Sequence, residues 1–164
     1  MIDTKIFSVF PASGKTYMCE NQDDWNLKIL DSDSSQFSWC YEEGEWRDSV
    51  VRVRNPEFPK NYVEHIKNNI GKYDYIFVSS HKEVRDALDE AGIEFTIVFP
   101  EYKCKEEWFG RCCIREIHGK NGFDSTVLLN NWDKWWYDCA ECGETHNQIV
   151  LSPTEHLSDR LWIK

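Results

Sequence analysis

The run Ile6-Phe7-Ser8-Val9-Phe10-Pro11-Ala12-Ser13-Gly14-Lys15-Thr16 decides the fold. Its apolar half, Ile6 to Phe10, reads as a buried strand that Pro11 breaks. Ser13-Gly14-Lys15-Thr16 then supplies a tight loop and the start of a helix. This order suits an anion. Backbone N–H groups from the loop and the helix start face a phosphate, a Lys reaches the outer phosphates, and a Thr hydroxyl ligates Mg²⁺. In the pattern G-x-x-x-x-G-K-[ST] the first position here is Val9. The glycine usually found there relieves crowding and does not contact phosphate, so a phosphate-binding loop remains the expectation.

The length of 164 residues suits one domain, residues 1–164, with a core large enough to need no staples. An apolar share of 41% with 15% aromatics argues for a folded globule. A formal charge of −10 opposes a broad footprint on duplex nucleic acid, which needs a basic face; a local basic pocket for a small anion is still compatible with it. Asp3 and Lys5 interrupt any apolar leader, and no run approaches the roughly 18 apolar residues of a membrane span. A cytoplasmic protein without membrane partners is therefore expected, as a monomer or homodimer. The seven cysteines are an odd number, which points to reduced thiols. Cys139-Ala-Glu-Cys142 with His146 has zinc-like local spacing, but a second ligand pair is not evident, so ordinary thiols are expected.

Outward from the loop, a short helix to about Gln22 leads to a second strand, Leu27 to Leu30, ending at Asp31-Ser-Asp33. Phe37–Tyr41 and Trp46–Val53 suggest a hairpin around Glu43-Gly44. Asn55-Pro-Glu-Phe-Pro59 opens a helix whose apolar residues Tyr62, Val63, Ile66 and Ile70 recur at helical spacing before Gly71. Tyr75–Val78 is a third strand and runs into Ser79-Ser80-His81. A helix to Gly92 follows, then a fourth strand, Phe95–Phe99. Helices are expected over Lys103 to about His118 and Ser125 to Asp138, around a mobile turn at Gly119–Gly122. Trp132, Trp135 and Trp136 of the second helix are expected in the core. A fifth strand at Asn147–Leu151 and a closing helix from Pro153 to Trp162 complete the chain. Strands alternating with helices predict a parallel sheet covered on both faces, with ligands at the carboxyl ends of the strands. The loop, Asp31 with Asp33, and Ser79–His81 all fall on that rim.

Val9-Phe-Pro-Ala-Ser-Gly-Lys-Thr16 resembles the G-x-P-G-S-G-K-[ST] loop of small nucleoside and nucleotide kinases. The chain as a whole is similar to bacteriophage-encoded P-loop proteins of the nucleotide or adenylate kinase-like group. The segments carrying the likeness are Asp31-Ser-Asp-Ser-Ser35 with Phe37-Ser-Trp39, Asn55–Tyr62, Val78-Ser-Ser-His81 with Val84-Arg85, Val98-Phe-Pro100 and Asn131-Trp-Asp133. The resemblance implies a three-layer P-loop kinase fold with a five-stranded parallel sheet, Mg-ATP as donor, and a lid, here about residues 103–124. On that reading Pro11, Ala12, Ser13, Gly14, Lys15 and Thr16 cradle ATP, and Thr16 with Asp31 holds Mg²⁺. Lys15, Asp33, Arg111 and Arg115 serve phosphoryl transfer. Asp31, Asp33, Phe37, His81 and Arg85 meet the acceptor, with Phe37, Trp39 and Tyr41 available to stack a base.

The expected activity is ATP-dependent phosphoryl transfer to a nucleoside monophosphate, in particular a deoxynucleotide. One rival reading is a kinase for a hydroxyl acceptor (a nucleoside, a modified base or a polynucleotide 5′-end), with Asp33 as general base. Another is a nucleotide-binding protein without catalysis, which Val9 and the absence of Asp at the end of the third strand favour.

Overall fold

The computed structural model describes residues 1–119 and 124–161. The first strand, β1 (Lys5–Val9), is buried along four of its five residues, as its apolar run requires. It is followed by α1 (Lys15–Glu20), a short 3₁₀ turn and β2 (Ile29–Asp31). Next come α2 (Ser35–Ser38), β3 (Trp39–Glu43), β4 (Val50–Arg54), α3 (Lys60–Asn69), β5 (Tyr75–Ser79) and α4 (Lys82–Glu90). The chain then forms β6 (Thr96–Pro100), α5 (Lys105–Ile117), α6 (Ser125–Gly143), β7 (Asn147–Leu151) and α7 (Leu157–Leu161).

Five strands form one parallel sheet in the order β2-β5-β1-β6-β7. The expected α/β architecture, a five-stranded parallel sheet flanked by helices, is therefore present. The right-handed crossover rule assigns α1 to one face, because β1 connects leftward to β2, and α3, α4 and α6 to the other. Packing agrees with this. Tyr75 donates its hydroxyl to the Leu161 carbonyl of α7 on one face (2.9 Å), while Phe99 meets Trp136 of α6 edge-on. The core runs continuously through the sheet, with Ile76, Phe77, Val78, Ile97 and Val98 fully buried.

β3 and β4 stand apart as a two-stranded antiparallel sheet, the hairpin that Glu43-Gly44 foreshadowed. Other elements differ in extent. α6 continues to Gly143 instead of stopping at Asp138, because Cys139 and Cys142 extend its buried stripe. The closing helix starts at Leu157, not Pro153. Trp162 and most of the expected turn, Lys120–Gly122, lie outside the described residues. No helix among the described residues is long and apolar enough to cross a membrane.

The bend between β1 and α1 depends on Gly14, whose φ is +100° and whose missing Cβ would stand 3.3 Å from the His156 Cβ. Gly110, inside α5, has open space where a Cβ would go. Gly14→Ala should therefore cost about 1–2 kcal/mol of stability, while Gly110→Ala should add about 0.5–1 kcal/mol. Urea unfolding of the two variants beside the wild type checks this opposite pair of signs.

Candidate functional site

β1 leaves the sheet towards β2, and its neighbour β6 leaves in the other direction towards β7, so the strand order reverses between them. A crevice outside the carboxyl ends of the strands is expected at such a reversal. A cleft of about 940 Å³ opens on the β1 side of this reversal, over the ends of β2, β5 and β1, near the top of the roughly 300–1,000 Å³ range of small-molecule sites. Its wall is built from the connections after β1, β2 and β5, from the β3–β4 hairpin, and from one side of α5 and α6.

The loop after β1 turns its polar backbone two ways. Its carbonyls are bound behind the cleft: the Ala12 oxygen accepts from Arg111 (3.2 Å), and the Ser13 oxygen accepts from Leu157 N–H (2.9 Å). Among the described residues, no protein acceptor meets the N–H groups of Ala12, Ser13, Gly14, Lys15 or Thr16. All five residues line the cleft, and their five consecutive donors have no protein partner among the described residues. Ala12 takes a positive φ of 60°, the conformation of a glycine, at the position where the resembled loop carries one. The Ser13 hydroxyl is buried without a partner as well. So are the Ser32 hydroxyl and one Arg85 nitrogen, both from residues on the same cleft. Buried polar atoms are normally satisfied; their concentration here marks where a polar ligand or water belongs.

Of the residues expected from sequence, Pro11–Thr16, Asp31, Asp33, His81, Arg85 and Arg115 come together on this cleft. Burial pushes the Asp31 carboxyl above the usual carboxylate range; Lys15 opposes that shift, Asp33 adds to it and Arg115 opposes it. These four charged groups therefore share one neighbourhood. Asp33 is already engaged: one carboxylate oxygen accepts from Ser35 N–H (2.9 Å) and the other from the Ser35 hydroxyl (2.8 Å). Arg85 is 4% exposed, with its Nε and one Nη donating to the carbonyls of Ser80 and Asp138. Desolvation by the cleft wall holds the imidazole of His81 below its ordinary pKa, with help from Arg54 and Lys15, although the residue is exposed overall.

Two expected residues sit elsewhere. Arg111 does not line the cleft; it bonds the carbonyls of Ala12, Pro153 and Glu155 (2.6 Å for the last) while its guanidinium stacks 3.8 Å over Trp108. It shapes the loop from behind. Phe37 packs against Tyr62 and His65 at ring distances of 5.3 and 4.7 Å, in the seam between α2 and α3. Tyr41 is exposed on the hairpin, away from the cleft wall, whereas Trp39 is part of it. Arg52, Arg54, Phe58 and Lys134, to which the sequence assigned no role, also line the cleft, and Trp135 packs against the core as expected while lining the cleft too. The hairpin turn was the available signal, since it brings Arg54 directly across from Trp39.

No family model matches the chain, and no curated protein matches it.

Among the described residues, no three His, Cys, Asp or Glu side chains are grouped to hold a metal by themselves. Mg²⁺ bound with a nucleotide has no need of such a group, because it takes one or two protein oxygens plus phosphates and water. Burial pushes the Cys139 thiol up to about 12, and the His146 ring is paired with Asp89 at 2.7 Å.

Since the His81 pKa is lowered in the fold, its contribution to stability is present above the ordinary histidine pKa of about 6.5 and is lost as pH falls through the folded value. His81→Asn should flatten the loss of stability between about pH 7 and about pH 5 relative to the wild type, read by urea unfolding across that window. An identical slope in both proteins would contradict the assignment.

Proposed function

We propose that the chain is an ATP-dependent P-loop kinase that phosphorylates a nucleoside monophosphate, in particular a deoxynucleotide. The observation that carries this reading is the row of five unpaired N–H donors at Ala12–Thr16, beside Lys15 and Thr16, at the mouth of a cleft. Successive N–H groups of this kind cradle phosphate oxygens. The cleft is lined by seven basic side chains (Lys15, Arg52, Arg54, Lys82, Arg85, Arg115, Lys134) and four acidic ones (Asp31, Asp33, Glu83, Asp138), in a chain whose net charge is −10. The local balance therefore favours polyanions, although the chain as a whole repels them.

The residues present suit ATP and Mg²⁺. Lys15 would meet the outer phosphates, Thr16 would supply a hydroxyl to Mg²⁺, and Asp31 would serve the ion through water. Arg115, on the same cleft, would stabilise the charge of the migrating group. In the transfer, the bond between the γ-phosphorus and the oxygen bridging to ADP breaks, and a bond to an acceptor phosphate oxygen forms. The products are ADP and a nucleoside diphosphate. That acceptor oxygen is already ionised, so no general base is needed, in keeping with Asp33 being spent on Ser35. The non-catalytic reading retains one supporting feature: β5 ends at Ser79 and runs into Ser80-His81 with no Asp there, and Asp74, at the other end of the strand, accepts from Lys28 N–H.

The test is label transfer from γ-labelled Mg-ATP with deoxynucleoside monophosphates, nucleosides and 5′-hydroxyl oligonucleotides offered side by side. Label should pass to the monophosphates. Lys15→Ala should lower turnover about 10²-fold or more, and Asp33→Asn should leave it within about threefold. Preferential labelling of hydroxyl acceptors, abolished by Asp33→Asn, would overturn the acceptor assignment. ATP binding with no product would favour the non-catalytic reading.

A further inference from the structure

The β3–β4 hairpin is the portion of the cleft wall that loop, magnesium and lid chemistry leave without a task. Strand alternation puts Trp39 and Arg54 directly across from each other and Arg52 on the same face. The Arg52 guanidinium lies 4.0 Å from the centre of the Trp39 ring, and that of Arg54 lies 5.4 Å from it. Arg54 is also 4.7 Å over Phe58 and is ion-paired with Glu83. Arg52 is different: among the described residues no carboxylate pairs with it. Stacking on the indole fixes the plane of its guanidinium and leaves its N–H groups unclaimed.

Two guanidinium groups on an aromatic platform, one of them without a counter-ion, match the geometry of a phosphate. They line the same cleft as Lys15 but belong to a different element, so the cleft has cations on two of its walls. A phosphorylated acceptor approaching a triphosphate needs this, because two polyanions otherwise repel each other. A neutral hydroxyl acceptor would leave Arg52 unpaired. Resting on the phosphoryl-transfer reading, we propose that Arg52 and Arg54, held by Trp39, form a second anion site that takes the 5′-phosphate of a nucleoside monophosphate acceptor. Trp39 is a positioning residue in this arrangement, and Arg52 is the group that selects phosphate over hydroxyl.

The experiment is calorimetric titration of the full chain with deoxynucleoside 5′-monophosphates, with the matching nucleosides and, separately, with Mg-ATP. Monophosphates should bind, and nucleosides should bind at least about tenfold more weakly. Arg52→Gln should weaken the monophosphates about tenfold or more while Mg-ATP stays within about twofold, as expected for loss of one charge-assisted contact. Trp39→Leu should resemble Arg52→Gln, and Trp39→Phe should restore most of the affinity because an aromatic face is retained. Wild-type monophosphate affinity in Arg52→Gln, equal binding of nucleosides, absence of monophosphate binding, or equal weakening of both ligands would each overturn the proposal. If the wild type fails to bind Mg-ATP, the phosphoryl-transfer reading falls, and the monophosphate titration still decides the role of Arg52. Circular dichroism identifies a Trp39 variant that fails to fold; Arg52→Gln, at an exposed strand position, then carries the decision.

Discussion

Arg111 holds the architecture of the cleft in place from a position outside it. Its guanidinium ties the carbonyl of Ala12 to those of Pro153 and Glu155, joining the first loop to the connection between β7 and α7. With the Leu157 N–H bound to Ser13, the loop's acceptors are satisfied on one side. Its donors are left on the other. Charge-assisted contacts of this kind are worth about 1.5–3 kcal/mol each, enough to hold Ala12 at a positive φ and Gly14 in its bend. The conformation of this loop is therefore a tertiary property, set by Arg111 and Leu157 from far along the chain.

The second organising feature is the arrangement of charge. The cleft cations are held in more than one way: Arg52 stacks on Trp39 and Arg85 bonds the carbonyls of Ser80 and Asp138, whereas Arg54 pairs with Glu83 and Lys82 with Asp86. Asp31 is a carboxylate set among cations of the same cleft. Its burial raises its pKa against the opposing pull of Lys15 and Arg115, and a bound cation would counter that shift by favouring the ionised form. Magnesium and an ionised Asp31 would then stabilise each other.

Much of this was legible in the sequence because it is local. The apolar run before Pro11, the helical spacing of Tyr62, Val63 and Ile66, and the alternation of strands with helices each depend on neighbours in the chain, and the parallel sheet follows from them. The rim of polar residues after β1, β2 and β5 was legible for the same reason. What was not legible depends on which face a side chain takes after folding. Arg111 and Arg115 are four apart on one helix, yet only Arg115 lines the cleft, because the side chain of Arg111 is drawn to three carbonyls of distant loops. Phe37 and Trp39 are two apart, but the chain passes from α2 into β3 between them, which sends one ring into the α2–α3 seam and the other to the cleft. Arg52 gains its meaning only through the pairing of β3 with β4.

The proposed enzyme depends on the Ala12–Thr16 donors and Lys15 holding the phosphates of a nucleoside triphosphate. Equilibrium titration of Mg-ATP into the wild type and into Lys15→Ala measures this. Saturable one-to-one binding to the wild type is expected, weakened about 10²-fold by the substitution, since the loss of a charged partner at a phosphate is worth about 2–3 kcal/mol. The absence of any binding heat in the wild type, or an unchanged affinity in Lys15→Ala, would contradict it.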